Sequence, residues 1–187
     1  MDYWLPIIFV SVAGFALLIY VILDGFDLGI GLLFPFANDE QKDKMIASIG
    51  PFWDANETWI VLGIGVMLIA FPKAHGLLLG ESYIAITIML VGLMLRGIAF
   101  DFRVKVQDRY KKIWDKLFFL GSLLMASSQG WVTGKYVMGL RDDNISLLFS
   151  ILIALTLPCL YIMLGCSRLL IKSKADTSAF ALHLSRN

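Results

Sequence analysis

Five long apolar runs, over 4–34, 52–71, 76–100, 116–137 and 145–171, alternate with short polar segments along the 187-residue chain. A bilayer core about 30 Å thick is crossed by roughly 20 residues of helix, so each run is long enough for one span. The pattern predicts an all-α, polytopic integral membrane helical bundle of about five transmembrane helices over 1–171. Between the runs lie a polar loop at 37–44, a very short turn at 72–75, a basic loop at 103–115 and a mixed loop at 138–144. Residues 172–187, polar with an apolar patch around Phe180 to Leu184, read as a polar cytoplasmic tail.

Composition sharpens this picture. Apolar residues make up 58% of the chain and charged residues 17%, against about 45 to 50% and about 25% in a soluble domain. The formal charge of +1 supplies no basic field for nucleic acid. Its placement is informative, because short cytoplasmic loops carry the excess of Lys and Arg. With the 103–115 loop inside, twelve basic residues fall on the inner segments and three, Lys73, Lys135 and Arg141, on the outer ones. The N-terminus is then outside and the C-terminus cytoplasmic. The N-terminal run lacks a basic leader and a small-residue cleavage pattern, and reads as a retained span. Cys159 and Cys166 are too far apart along a helix for a disulfide. Two glycosylation triplets, at Asn56 and Asn144, are of the kind common by chance.

The main chemical signal is charge where charge is costly. Asp24 and Asp27 stand one turn apart near the end of the first run, Asp54 and Glu57 open the second, and Arg96, Asp101 and Arg103 lie near the end of the third. Intramembrane ionisable residues usually face the bundle interior and mark ion paths or ligand sites. Under the predicted topology these residues share one depth at the inner side. Arg96 would compensate one or more acids there, and carboxyls linked by water would relay protons. Glycines 25, 29 and 31 would allow close helix contact around the cluster.

Plainer roles compete for the same residues. Asp54 and Glu57 have the spacing of a helix N-cap and its third-position partner. Arg96, Asp101 and Arg103 would also serve as snorkelling interface residues, and Glu81 as an outer interface residue. Trp4, Trp53, Trp59, Trp114 and Trp131 fall near run ends as an interfacial belt would. The only histidines, His75 and His183, are placed outside the runs, so no bis-histidine haem site is expected within this chain. No metal site and no catalytic residue is predicted.

Several blocks resemble the second subunit of the cytochrome bd-type quinol oxidases. They are Asp24-Gly-Phe-Asp-Leu-Gly-Ile-Gly31, Ile49-Gly-Pro-Phe-Trp-Asp-Ala-Asn-Glu-Thr-Trp59, Leu95-Arg-Gly-Ile-Ala-Phe-Asp-Phe-Arg103, Trp114-Asp115 and Gly121-Ser122, in that order. The resemblance implies a subunit of a quinol:oxygen oxidoreductase in a prokaryotic cytoplasmic (inner) membrane. It implies a partner, the haem-bearing subunit I, that holds haem b and haem d, with quinol as substrate, lipid around the bundle and a small accessory subunit as a further partner. It also implies an inner-side proton pathway over Asp24, Asp27, Asp54, Glu57, Arg96 and Asp101, supported by Trp53, Asn56 and Arg103. Family members are usually nearly twice this length, with eight or nine spans, so the resemblance covers the N-terminal half of the family pattern. A small proton-coupled secondary transporter and a truncated, non-catalytic remnant stay open as alternatives.

Overall fold

The computed structural model describes residues 4–184, and their side chains over 4–172. The tail expected at 172–187 therefore lies almost wholly outside the described side chains, as does His183. Seven α-helices follow one another: α1 (Trp4–Leu33), α2 (Asp39–Ile49), α3 (Trp53–Ala70), α4 (Pro72–Glu81), α5 (Tyr83–Lys105), α6 (Asp108–Val137) and α7 (Asn144–Leu184). A 3-10 turn over Phe34–Phe36 joins α1 to α2. The long helices α1, α3, α6 and α7 occupy four of the predicted apolar runs, whereas the run expected over 76–100 is divided at Ser82 between the end of α4 and α5.

By length and composition α1, α5 and α7 suffice to cross a membrane, and α3 qualifies as a fourth span only when taken together with α2, from which it is bent by 51°. Helix α6 is long enough but less apolar. The reason is its position: it packs against α5, α7 and α1. Its inner face is accordingly built from small and polar residues such as Gly121, Ser122, Ser128 and Gln129. Lipid-facing helices are read easily from hydropathy. A helix surrounded by other helices needs small residues for close approach, which dilutes its signal.

The segments expected as loops are largely helical. The 37–44 loop contains a capping box in which Asn38 accepts from the Gln41 amide at 2.9 Å and the Gln41 side chain accepts from the Asn38 amide at 2.9 Å. Two orphan amides are satisfied there, and α2 starts. The 72–75 turn is the first turn of α4, with Pro72 at the helix start, where the missing N–H costs nothing. In the basic loop, α5 continues to Lys105 and α6 begins at Asp108.

The buried face of α1 carries Ala13, Ala16, Tyr20, Asp24, Asp27 and Gly31, at steps of three and four residues. Two close crossings set the helix spacing. A Cβ built on Gly29 of α1 would lie 1.8 Å from the carbonyl oxygen of Tyr161 of α7, and one on Gly165 would lie 2.6 Å from the carbonyl carbon of Gly29. Between α5 and α6, a Cβ on Gly121 would lie 2.7 Å from the backbone nitrogen of Arg96 and from the carbonyl oxygen of Gly92. These approaches fix α1 against α7 and α5 against α6, while α1 also packs along α3 and α6.

Candidate functional site

Asp24 is carried by α1, Glu57 by α3 and Arg96 by α5, and the three meet inside the bundle. Arg96 is 2% exposed and Asp24 fully buried. Arg96 Nη2 lies 2.7 Å from Asp24 Oδ1 and donates to Glu57 Oε1. Burial on this scale excludes snorkelling for Arg96, since a guanidinium that reached an interface would remain hydrated. A second group adjoins the first on α1. Asn56 Nδ2 donates to Asp27 Oδ2 at 2.7 Å, and Arg168 Nη1 of α7 stands 3.9 Å from Asp27 Oδ1.

Neither group is saturated. Asp24 Oδ2, Asp27 Oδ1, and Arg96 Nε and Nη1 are buried without a hydrogen-bond partner among the described residues. Buried polar atoms are nearly always paired, and an orphan of this kind marks a place for water, a proton or an outside group. Next along α1, Gln129 Nε2 of α6 donates to the Tyr20 hydroxyl at 2.5 Å, while the Tyr161 hydroxyl of α7 donates to Gln129 Oε1 at 2.6 Å. Tyr20 precedes Asp24 by one turn, so the polar interior extends deeper along the bundle. Sequence reasoning missed this triad. Gln129, an amide inside an apolar run, was the signal available.

The remaining predicted residues lie elsewhere. Asp54 is exposed in the first turn of α3, three residues before Glu57. Its capping role is not seen: the N-cap position is Phe52, no side chain caps the helix, and Glu57 is turned to Arg96 instead. Trp53 is half-buried, its ring 5.1 Å from that of Phe100, and Asp101 and Glu81 are exposed. Trp59 packs at the edge of the buried core, whereas Trp4 is exposed.

Arg103 is also not a snorkelling residue. It is buried in a separate charge network, with Nε 2.5 Å from Asp115 Oδ1 of α6 and Nη1 2.8 Å from Asp43 Oδ1 of α2. Lys42 Nζ joins it 3.0 Å from Asp115 Oδ2, and Lys111 Nζ 3.7 Å from Asp43 Oδ2. Five of the eleven residues of α2 are charged, which places this helix outside the membrane-spanning segments. The Arg103 hydrogen bond holds the Asp43 carboxyl below the usual carboxylate range.

Among the described residues no two histidines are brought together. His75 sits half-buried on α4, at the end of the bundle opposite α2, and His183 is outside the described side chains. Among the described residues no group of three or more His, Cys, Asp or Glu is arranged to hold a metal ion.

Residues 5–186 match the family model for cytochrome bd terminal oxidase subunit II. The chain belongs to that family. Cytochrome bd ubiquinol oxidase subunit 2 of Bacillus subtilis is 40% identical over 126 residues, 66% of this chain and 36% of the relative. Cytochrome bd-I ubiquinol oxidase subunit 2 of Escherichia coli is 32% identical over 139 residues, 73% of this chain and 35% of the relative. A probable cytochrome oxidase subunit 2 of Haemophilus influenzae is 29% identical over the same length. The matched stretch thus spans about a third of these curated relatives.

Proposed function

We propose that this chain serves as the second subunit, or the N-terminal half of one, of a cytochrome bd-type quinol oxidase in a prokaryotic cytoplasmic membrane. It would pack beside a haem-bearing first subunit, and the complex would oxidise two quinols while reducing one dioxygen to two waters. The carrying observation is the buried, incompletely partnered centre formed by Arg96, Asp24 and Glu57 beside Asp27 and Asn56. Dioxygen reduction consumes protons, and a carboxylate path from the inner surface would supply them.

In this reading Asp54 collects protons at the exposed start of α3. Glu57 and Asp27 receive them through water, Asn56 holds the Asp27 carboxylate in place, and Arg96 keeps Asp24 in the bundle without an uncompensated charge. The haems would lie in the partner. The chain's own residues bind, orient and move protons.

The experiment is an optical spectrum of the native complex isolated through a tag on this chain. Haem b and haem d bands travelling with the tag, together with quinol-dependent oxygen consumption, support the proposal. A haem-free preparation that is stable alone and moves a solute in proteoliposomes favours a proton-coupled carrier and rejects it.

A further inference from the structure

Where the 3-10 turn after α1 meets α2 and the first turns of α6, a cavity of about 280 Å³ opens to the surface. Its lining is basic on one part and apolar on another, with Lys42, Lys112 and Lys116 beside Phe34, Pro35 and Phe119. The acid in the lining, Asp115, is already matched by Arg103 at 2.5 Å and by Lys42 at 3.0 Å. Lys42 also reaches the exposed Asp39, at 3.6 Å. Lys112 and Lys116 are exposed, and among the described residues no ion pair or hydrogen bond engages either one.

Two like charges one turn apart on a helix are mildly destabilising unless an anion lies between them. The excess positive charge of the lining therefore selects an anionic ligand. The location narrows it further. Lys116 opens the apolar run of α6, and the highly charged α2 lies alongside, so the cavity sits at the boundary where lipid phosphates concentrate. A soluble anion would gain nothing from the apolar Phe34, Pro35 and Phe119, whereas a phospholipid places its phosphate among the lysines and its glycerol and first chain methylenes against them. We propose that this cavity binds the headgroup of an anionic phospholipid. The site is distinct from the Arg96 centre and does not depend on the proposed oxidase activity.

The test is site-mapped crosslinking in native membranes, using phosphatidylglycerol with a photoreactive headgroup and peptide mass spectrometry. Crosslinks are expected to concentrate on residues 112–119 and 34–35, and to be competed by unlabelled phosphatidylglycerol but not by phosphatidylcholine. A lysine near an anionic surface contributes about fivefold in binding, so Lys112→Gln/Lys116→Gln is expected to lower site labelling by roughly 25-fold. Lys112→Arg/Lys116→Arg should retain it, and Lys73→Gln, which removes one charge at the opposite end, should leave it unchanged. Labelling that spreads evenly over the membrane face, or that survives the double glutamine change, overturns the proposal. Competition by inorganic phosphate alone does so too, since it would assign the site to a soluble anion.

Discussion

Arg96 Nη2 and Asp24 Oδ1 are 2.7 Å apart in the interior of the bundle, with Glu57 accepting from the same guanidinium. The arginine cannot lose its proton, so it fixes a positive charge at this depth and makes the two carboxylates interdependent.

Removing that charge leaves a buried acid without its partner. Arg96→Leu is expected to destabilise the chain by roughly 3 to 5 kcal/mol, as for other broken buried pairs. Asp24→Asn in the same background should recover part of the loss, and the double-mutant cycle should be non-additive by more than about 0.5 kcal/mol. Thermal unfolding of the detergent-solubilised protein measures all four corners. Strictly additive effects would mean that the two side chains do not act as a pair.

The α5–α6 crossing should be as sensitive as the charge it positions. A methyl group on Gly121 would press on the Arg96 backbone nitrogen and the Gly92 carbonyl, each 2.7 Å away. Gly121→Ala is expected to cost about 1 to 3 kcal/mol, in the range of overpacked cores. Gly65→Ala, where a Cβ meets nothing within 4 Å, is expected to be neutral or to stabilise its helix by up to about 1 kcal/mol. Equal melting shifts for the two variants would contradict the close crossing.

How much of this was legible in the sequence varied with the kind of signal. Apolar runs located the long helices, and the costly charges pointed to Arg96, Asp24 and Glu57. Helix α2 was missed because its start depends on capping geometry at Asn38, where hydropathy reports only a polar interruption, and α4 was merged with α5 because apolar residues continue across their break at Ser82. Arg103 was read as an interface residue because its partners Asp43 and Asp115 are 60 and 12 residues away in sequence. Only the folded chain brings α2 beneath α5 and α6. Asp54 and Asp101 show the converse, since position in a charged block does not say which way a side chain faces.

The Arg103 network should give the protein an acid limb in stability. Its folded-state bond to Arg103 lowers the Asp43 pKa, so the contribution is present above the unfolded-state pKa and is lost as pH falls through the folded one. Asp43 is half exposed at 54%, so the effect is small. The melting temperature of the wild type should fall more steeply on acidification below the usual Asp range than that of Asp43→Asn. Parallel curves would show that the bond carries no net stability.

Membrane orientation is open to direct chemistry. Single cysteines replacing Lys73 and Arg141, both exposed near one end of the bundle, should react with an impermeant thiol reagent added to intact cells. A cysteine at Lys105, exposed at the other end, should react only after permeabilisation. Surface labelling at position 105 in sealed cells would reverse the orientation drawn from the distribution of basic residues.

Asp54 separates proton supply from scaffolding. It is exposed, lies three residues before the Arg96-bound Glu57 on α3, and makes no capping bond, so its loss should leave the fold intact. Asn keeps its size but cannot ionise. If Asp54 gathers protons for the interior, the complex carrying Asp54→Asn should assemble with its full haem content and lose most of its quinol-dependent oxygen consumption, by about 10² to 10⁴-fold at the level of a removed general acid or base. Asp54→Glu restores an ionisable group at the same position and should recover part of the rate. Oxygen uptake per haem, measured for both variants in the purified complex, decides the matter, because near-native turnover with Asn at position 54 would remove this residue from the path and leave the subunit as a scaffold.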